Sequence, residues 1–184
     1  LKTRSITLVS LFVAVMIAFG ALPTLVIPFI PVPFTFQMIG VMLVGSILGA
    51  RKGLIAMLVF IALAAAGVPV LSGYRGGLGV LLGPTGGYIL AWPLATFVIG
   101  LITDYINTKK WALFRYYLAI LAGILIIYFV GVPWFAFYNH LPLLGVAESN
   151  LPLLLLDLVK AGAAAVVACR LKQRLPFLKK SKLV

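Results

Sequence analysis

Apolar residues run along this chain in long unbroken stretches, and the polar residues gather in the gaps between them. Such stretches read as membrane helices, which need about 20 mostly apolar residues, with a range of about 17–25. The pattern predicts six spans, at about 5–25, 34–50, 54–68, 85–106, 111–132 and 151–169. Pro23, Pro28, Pro31 and Pro33 end the first helix and predict a stiff, extended loop, because proline lacks an amide hydrogen and restricts the residue before it. A sharp turn is predicted at Arg51-Lys52-Gly53, and an irregular segment over 69–83, where Gly73, Gly76, Gly77, Gly79 and Gly83 favour turns. Pro93 predicts a kink inside the fourth span, which a membrane helix tolerates. Barrel strands would alternate over about ten residues, and these runs do not. The expected fold class is all-α: a polytopic membrane protein with six transmembrane helices, forming a single integral-membrane domain over 1–184.

Composition agrees. The chain is 64% hydrophobic and 10% charged, against about 45–50% and about 25% for soluble domains. Soluble and disordered classes are excluded. The net charge of +12, from 15 basic and 3 acidic residues, raises the question of nucleic acid. Placement answers it. All the basic residues except Arg75 and Lys160 fall before the first span, between the second and third, between the fourth and fifth, or after the sixth. Positive residues stay cytoplasmic, so both termini are expected inside, with loops near 26–33, 69–84 and 133–150 outside. The basic tail, Arg170 and Lys172 through Lys182, reads as a lipid-facing anchor rather than a nucleic-acid patch. Trp111 and Trp134 suit the interfacial belt and Trp92 internal packing. A chain opening on Leu1 is expected to lack some N-terminal residues, and no cleavable signal peptide is evident. The single Cys169 permits no internal disulfide.

Several residues do not fit a plain membrane bundle. Asp157 and Lys160 lie inside the sixth span at i,i+3, on one helix face. Asp157 sits roughly 9 Å along the axis from Leu151, at about 1.5 Å per residue. Each charge at mid-membrane costs about 2.5–3.5 kcal/mol, so both must face the bundle interior or a polar cavity. A self-paired bridge that fixes helix packing is one reading; a site for a small polar ligand or ion is the other. Arg75, in Ser72-Gly73-Tyr74-Arg75-Gly76-Gly77, is either a solvated loop residue or a carboxylate-binding fork beside accessible backbone N–H groups. Gly83-Pro84-Thr85-Gly86-Gly87-Tyr88 opens the fourth helix, where a tight turn with close packing competes with an anion site. Ala14 and Ala18 give the first helix a small face for another helix, within the chain or on a partner. The sequence has no phosphate-binding Gly-x-x-x-x-Gly-Lys loop and one histidine, His140. It has neither a Gly-x-Ser-x-Gly elbow nor paired carboxylates. A nucleotide site, a zinc or other metal site and a catalytic constellation are therefore not expected.

Taken together, four stretches resemble the BioY family, the biotin-specific substrate-binding (S) component of energy-coupling-factor (ECF) transporters. They are Pro31-Val-Pro-Phe-Thr-Phe-Gln37, Gly67-Val-Pro-Val-Leu with the glycine-rich loop, Gly83-Pro-Thr-Gly-Gly-Tyr88, and Asp157-Leu-Val-Lys160-Ala. They stand in the family's order and span about 3–174. Tyr74-Arg75 departs from the small residues common there. The resemblance implies a six-span, non-catalytic subunit of the bacterial cell membrane that binds D-biotin from outside. It also implies a transmembrane coupling (T) component and two cytoplasmic ATPases as partners, with Ala14 and Ala18 matching the family's Ala-x-x-x-Ala face. The S component is implied to tip over in the membrane to release substrate.

On that resemblance, Asp157 would accept ureido N–H bonds, and Lys160 would donate to the ureido carbonyl or pair with a carboxylate. Arg75, or backbone N–H groups at Gly73 and Gly86, would hold the valeryl carboxylate. Phe34, Tyr74 and Tyr88 would cover the apolar ring, as small-ligand pockets usually do. An S component for another vitamin, an intramembrane enzyme using Asp157 and Lys160, and a purely structural subunit remain as alternatives.

Overall fold

A computed structural model gives the fold of the chain and describes residues 3–26, 32–105 and 111–174. The described residues form helices α1 (Thr3–Gly20), α2 (Gln37–Leu48), α3 (Ala50–Ala65), α4 (Leu78–Leu81), α5 (Gly86–Leu90), α6 (Trp92–Asp104), α7 (Ala112–Tyr138) and α8 (Leu143–Arg174). The all-α class stands. Pairing outside helices is limited, among these residues, to isolated bridges between Leu25 and Phe34 and between Leu71 and Arg75. Among the described residues, four helices have the length and apolarity to cross a membrane: α1, α5 with α6 as Gly86–Asp104, α7 and α8. Helix α2 has 12 residues, shorter than the expected second span, and α3, with 16, begins four residues before the expected third span and ends three residues before its end.

The expected boundaries shift where distant residues intervene. The turn between α2 and α3 falls at Gly49 (φ 79°), not at Arg51-Lys52-Gly53, which lie in the first turn of α3. The Asp104 carboxylate, at the end of α6, accepts from the Ala50 N–H at 3.0 Å and caps α3 from across the bundle. A side chain at position 49 would collide with that carboxylate. Pro93 sits in the first turn of α6, after a break at Ala91, where its missing N–H was unpaired in any case. Helix α7 runs through Pro133 and α8 through Pro152, so the loop expected over 133–150 shrinks to 139–142. Both helices continue to bury a face there, through Phe135 and Ala136 on α7 and Val146 and Asn150 on α8. That burial outweighs the lost backbone bonds. Helix α1 stops at Gly20, five residues early; a Cβ at this position would lie 2.7 Å from Gln37 Nε2.

Close packing rests on small residues. Gly45, Gly49 and Gly53 follow at intervals of four and lie along Thr96, Gly100 and Asp104 of α6. A Cβ at Gly45 would stand 2.8 Å from Ile99 Cβ, and one at Gly100 would run into the Gly49–Ala50 backbone. Helix α8 buries Val146, Asn150, Leu153, Asp157, Lys160, Ala164 and Ala168, a three-to-four-residue period that marks one continuous face. Trp92 packs inside, its ring 6.1 Å from Phe60, and Trp111 is exposed. Trp134 is half-buried, and its indole N–H donates to Gly83 O at 2.9 Å and pins the turn before α5. Lys172 also departs from the solvated tail. It is buried, with Nζ 5.8 Å from the Tyr116 ring, because the α8 periodicity carries position 172 back onto the packed face. Pro28, Pro31, Lys2, Lys109, Lys110 and the tail from 175 lie outside the described residues.

Candidate binding site

The buried face of α8 carries the two membrane-embedded charges into a cavity. Asp157 is 2% exposed, and its Oδ1 accepts from Lys160 Nζ at 2.8 Å. The pair is not closed on itself. Asp157 Oδ2 accepts from the Tyr128 hydroxyl of α7 at 2.9 Å. Lys160 Nζ also donates to Thr35 O at 2.9 Å and lies 3.6 Å from the centroid of the Phe34 ring. An ammonium has three protons. Two are committed here, to Asp157 and Thr35, and the Phe34 ring lies against the same nitrogen.

The cavity comprises about 640 Å³ of space free of protein atoms, its open mouth included. Its wall is mainly apolar, with Val32, Met38, Leu71, Ile127 and Leu153 among its members, and Asp157, Lys160, Gln37, Tyr128 and Arg75 supply polar groups. Few polar groups on an apolar wall is the pattern by which proteins orient small amphiphilic ligands.

The elements meet here for local reasons. Gln37 begins α2 and is 1% exposed. Its Nε2 donates to Val70 O (2.8 Å) and Met16 O (3.2 Å), while Oε1 accepts from Ser72 N–H (3.1 Å) and Oγ (2.9 Å). Both N–H donors and both oxygen lone pairs of this buried amide have partners. The segment it holds turns back at Gly73 (φ 76°) and Tyr74 (φ 54°), and Leu71 pairs with Arg75. Arg75 Nε donates to Ser72 O at 3.1 Å, which places the guanidinium at the cavity wall. Tyr88 of α5, also in the wall, donates to Asn150 Oδ1 at 3.2 Å and meets the Tyr128 ring edge-on, centroids 6.0 Å apart.

Of the residues singled out in the sequence, Asp157, Lys160, Arg75 and Tyr88 line this cavity together. Phe34 stands behind Lys160 rather than in the wall. Tyr74 is 71% exposed and Gly73 is exposed, both away from the wall. Gly86 is buried in the turn before α5, where a Cβ would strike the Leu81 carbonyl, which fits the tight-turn reading. Ala14 and Ala18 face outward on α1, which contributes no described residue to the cavity wall. Gln37, Tyr128, Asn150 and Ser72 escaped sequence reasoning. Gln37 and Asn150 carried a detectable signal, since each is an amide beside a long apolar run.

A sequence model of the BioY family matches residues 1–177. The chain belongs to the BioY family. It is similar to the probable biotin transporter BioY of Bacillus subtilis, 39% identical over 175 residues, covering 95% of this chain and 94% of that protein. The biotin transporter BioY of Rhizobium etli is 36% identical over 172 residues, covering 91% and 92%. A crystal structure of the S-component for biotin from an ECF-type ABC transporter matches with a TM-score of 0.88 at 36% identity, covering 94% of this chain and 92% of that one. As a BioY-family chain this is a multi-pass membrane protein and a transport component, not an enzyme.

Proposed function

We propose that the chain is the biotin-binding S component of an ECF-type ABC transporter and mediates biotin uptake. The observation that carries this reading is the Asp157–Lys160 pair, which is buried in a spanning helix yet lines an apolar cavity whose wall also includes Arg75. Biotin has a ureido group with two N–H donors and one carbonyl, an apolar bicycle and chain, and a terminal carboxylate. Asp157 accepts from the ureido N–H groups and the third proton of Lys160 goes to the ureido carbonyl. Arg75 attracts the carboxylate, and Tyr88 with the apolar wall covers the ring. The bicycle thus sits at the level of Asp157 and the chain points toward the 70–75 segment.

In this reading the single domain crosses a bacterial plasma membrane six times, with α2 and α3 supplying the two shorter spans. Both termini lie in the cytoplasm. The basic residues before α1 and at the start of α3 support that orientation. A transmembrane coupling component and two cytoplasmic ATPases complete the transporter and hydrolyse ATP. Ala14 and Ala18, exposed on α1, offer the coupling component a small-residue face.

Equilibrium binding of radiolabelled biotin to the purified chain tests the proposal. Saturable binding well below micromolar Kd supports it. Micromolar or weaker biotin binding, or preference for another vitamin in competition, overturns the biotin assignment.

A further inference from the structure

Building on the biotin reading of the cavity, we infer that Tyr128 is a positioning residue that sets specificity for the ureido end of the ligand by fixing the Asp157 carboxylate. The carboxylate is held at both oxygens, by Lys160 on Oδ1 (2.8 Å) and Tyr128 on Oδ2 (2.9 Å). A carboxylate with one donor can rotate about its Cβ–Cγ bond; with two donors from different helices it presents its remaining lone pairs in fixed directions.

Tyr128 is itself held. Its ring meets Tyr88 edge-on at 90°. The Tyr88 ring occupies a notch at Gly131, where any Cβ would collide with it. The Tyr88 hydroxyl then donates to Asn150 Oδ1, and the Asn150 amide is oriented by its own bond to Val146 O (2.8 Å). Asn150 and Asp157 are seven residues apart on one face of α8. Two phenols from α5 and α7 thereby strap the same face of α8 at the level of the cavity. Having donated its proton to Asp157, the Tyr128 oxygen keeps an acceptor lone pair beside the carboxylate. The polar end of the cavity then offers adjacent acceptors from Asp157 and Tyr128 beside the Lys160 ammonium. That is the complement of a cyclic urea, and a poor match to a ligand end carrying only acceptors.

Tyr128→Phe keeps the ring and its contact with Tyr88 and removes only the hydroxyl. Binding is measured for biotin, for its methyl ester and for a biotin methylated on one ureido nitrogen, with wild type and variant side by side. The expected result is about a tenfold rise in Kd for biotin and for the ester, because binding must then order a carboxylate no longer held at both oxygens and the Tyr128 acceptor beside it is gone. For the methylated ureido the rise should stay below about twofold, since one donor to the carboxylate is already gone. An equal rise for all three ligands means that Tyr128 merely braces α7 against α8, and overturns the inference, as does an unchanged biotin Kd. If the methylated ligand does not bind wild type, the infrared carboxylate band lost in Asp157→Asn is followed instead. Tyr128→Phe must shift that band, and an unmoved band overturns the inference. Wild-type protein that fails to bind biotin overturns the biotin reading itself, a result separate from any behaviour of the variant.

Discussion

Gln37 grips Ser72 twice, its Oε1 accepting from both the backbone N–H at 3.1 Å and the hydroxyl at 2.9 Å. The same side chain donates to Val70 O and Met16 O. One amide therefore joins the end of α1, the start of α2 and the segment that carries Arg75. Glutamate at this position keeps the acceptors but loses both donors, leaving two carbonyls facing a carboxylate. Each orphaned buried group costs about 1–3 kcal/mol. Gln37→Glu should lower the thermal midpoint, speed hydrogen exchange over 70–75 and weaken biotin binding at least tenfold. Unchanged exchange in that segment counts against the clamp.

The Asp157–Lys160 pair separates packing from binding. Removing one charge strands the other in the bundle, at about 3–5 kcal/mol for a fully buried pair. Asp157→Asn should therefore weaken biotin binding at least tenfold and lower stability, with the fold retained by circular dichroism. The double change Asp157→Asn, Lys160→Met removes both charges and should recover much of the stability without recovering binding. Full binding by the double variant in the same assay would leave the pair a packing device only.

Ala14 and Ala18 present no side chain beyond a methyl group on the exposed face of α1. Ala14→Trp should leave the biotin Kd within about twofold, because α1 contributes no described residue to the cavity wall. ATP-driven uptake in cells with the complete transporter should fall sharply, together with co-purification of the coupling component. Normal uptake removes the partner role from this face.

At Gly100, α6 lies so close to the α2–α3 turn that a Cβ would run into the Gly49–Ala50 backbone. Gly100→Val forces the helices apart against backbone rather than a yielding side chain, at about 1–3 kcal/mol or more. The expected outcome is a lower thermal midpoint and poor yield of monodisperse protein. Conversely, Asp104→Ala should cost about 0.5–2 kcal/mol through loss of the α3 cap. It should spare the biotin Kd.

The helical class was legible because a membrane helix satisfies its own backbone within one continuous run, so length and apolarity suffice to find it. Asp157 and Lys160 stood out for the same reason: charge in such a run demands a polar environment. The ends of helices were less legible. The turn at Gly49 depends on Asp104, far along the chain, and the long reach of α7 and α8 through Pro133 and Pro152 depends on burial that periodicity alone does not reveal. Tyr128 and Tyr88 illustrate the limit within the site. Both are tyrosines in apolar stretches, yet one bonds to Asp157 and the other to Asn150.

By itself the sequence determined that this chain is an all-helical membrane protein of the BioY kind, with an acid and an amine on one inward face, since these follow from local hydropathy, spacing and motif order. Only the tertiary structure decided which groups meet those charges and how the cavity closes around them. Gln37 finding Ser72, Tyr128 finding Asp157 and Lys160 finding Thr35 O are contacts between residues 29 to 125 positions apart. Hydrogen bonds and close packing act over a few ångströms, and the folded path of the chain, not the order of residues along it, sets which groups come within that range.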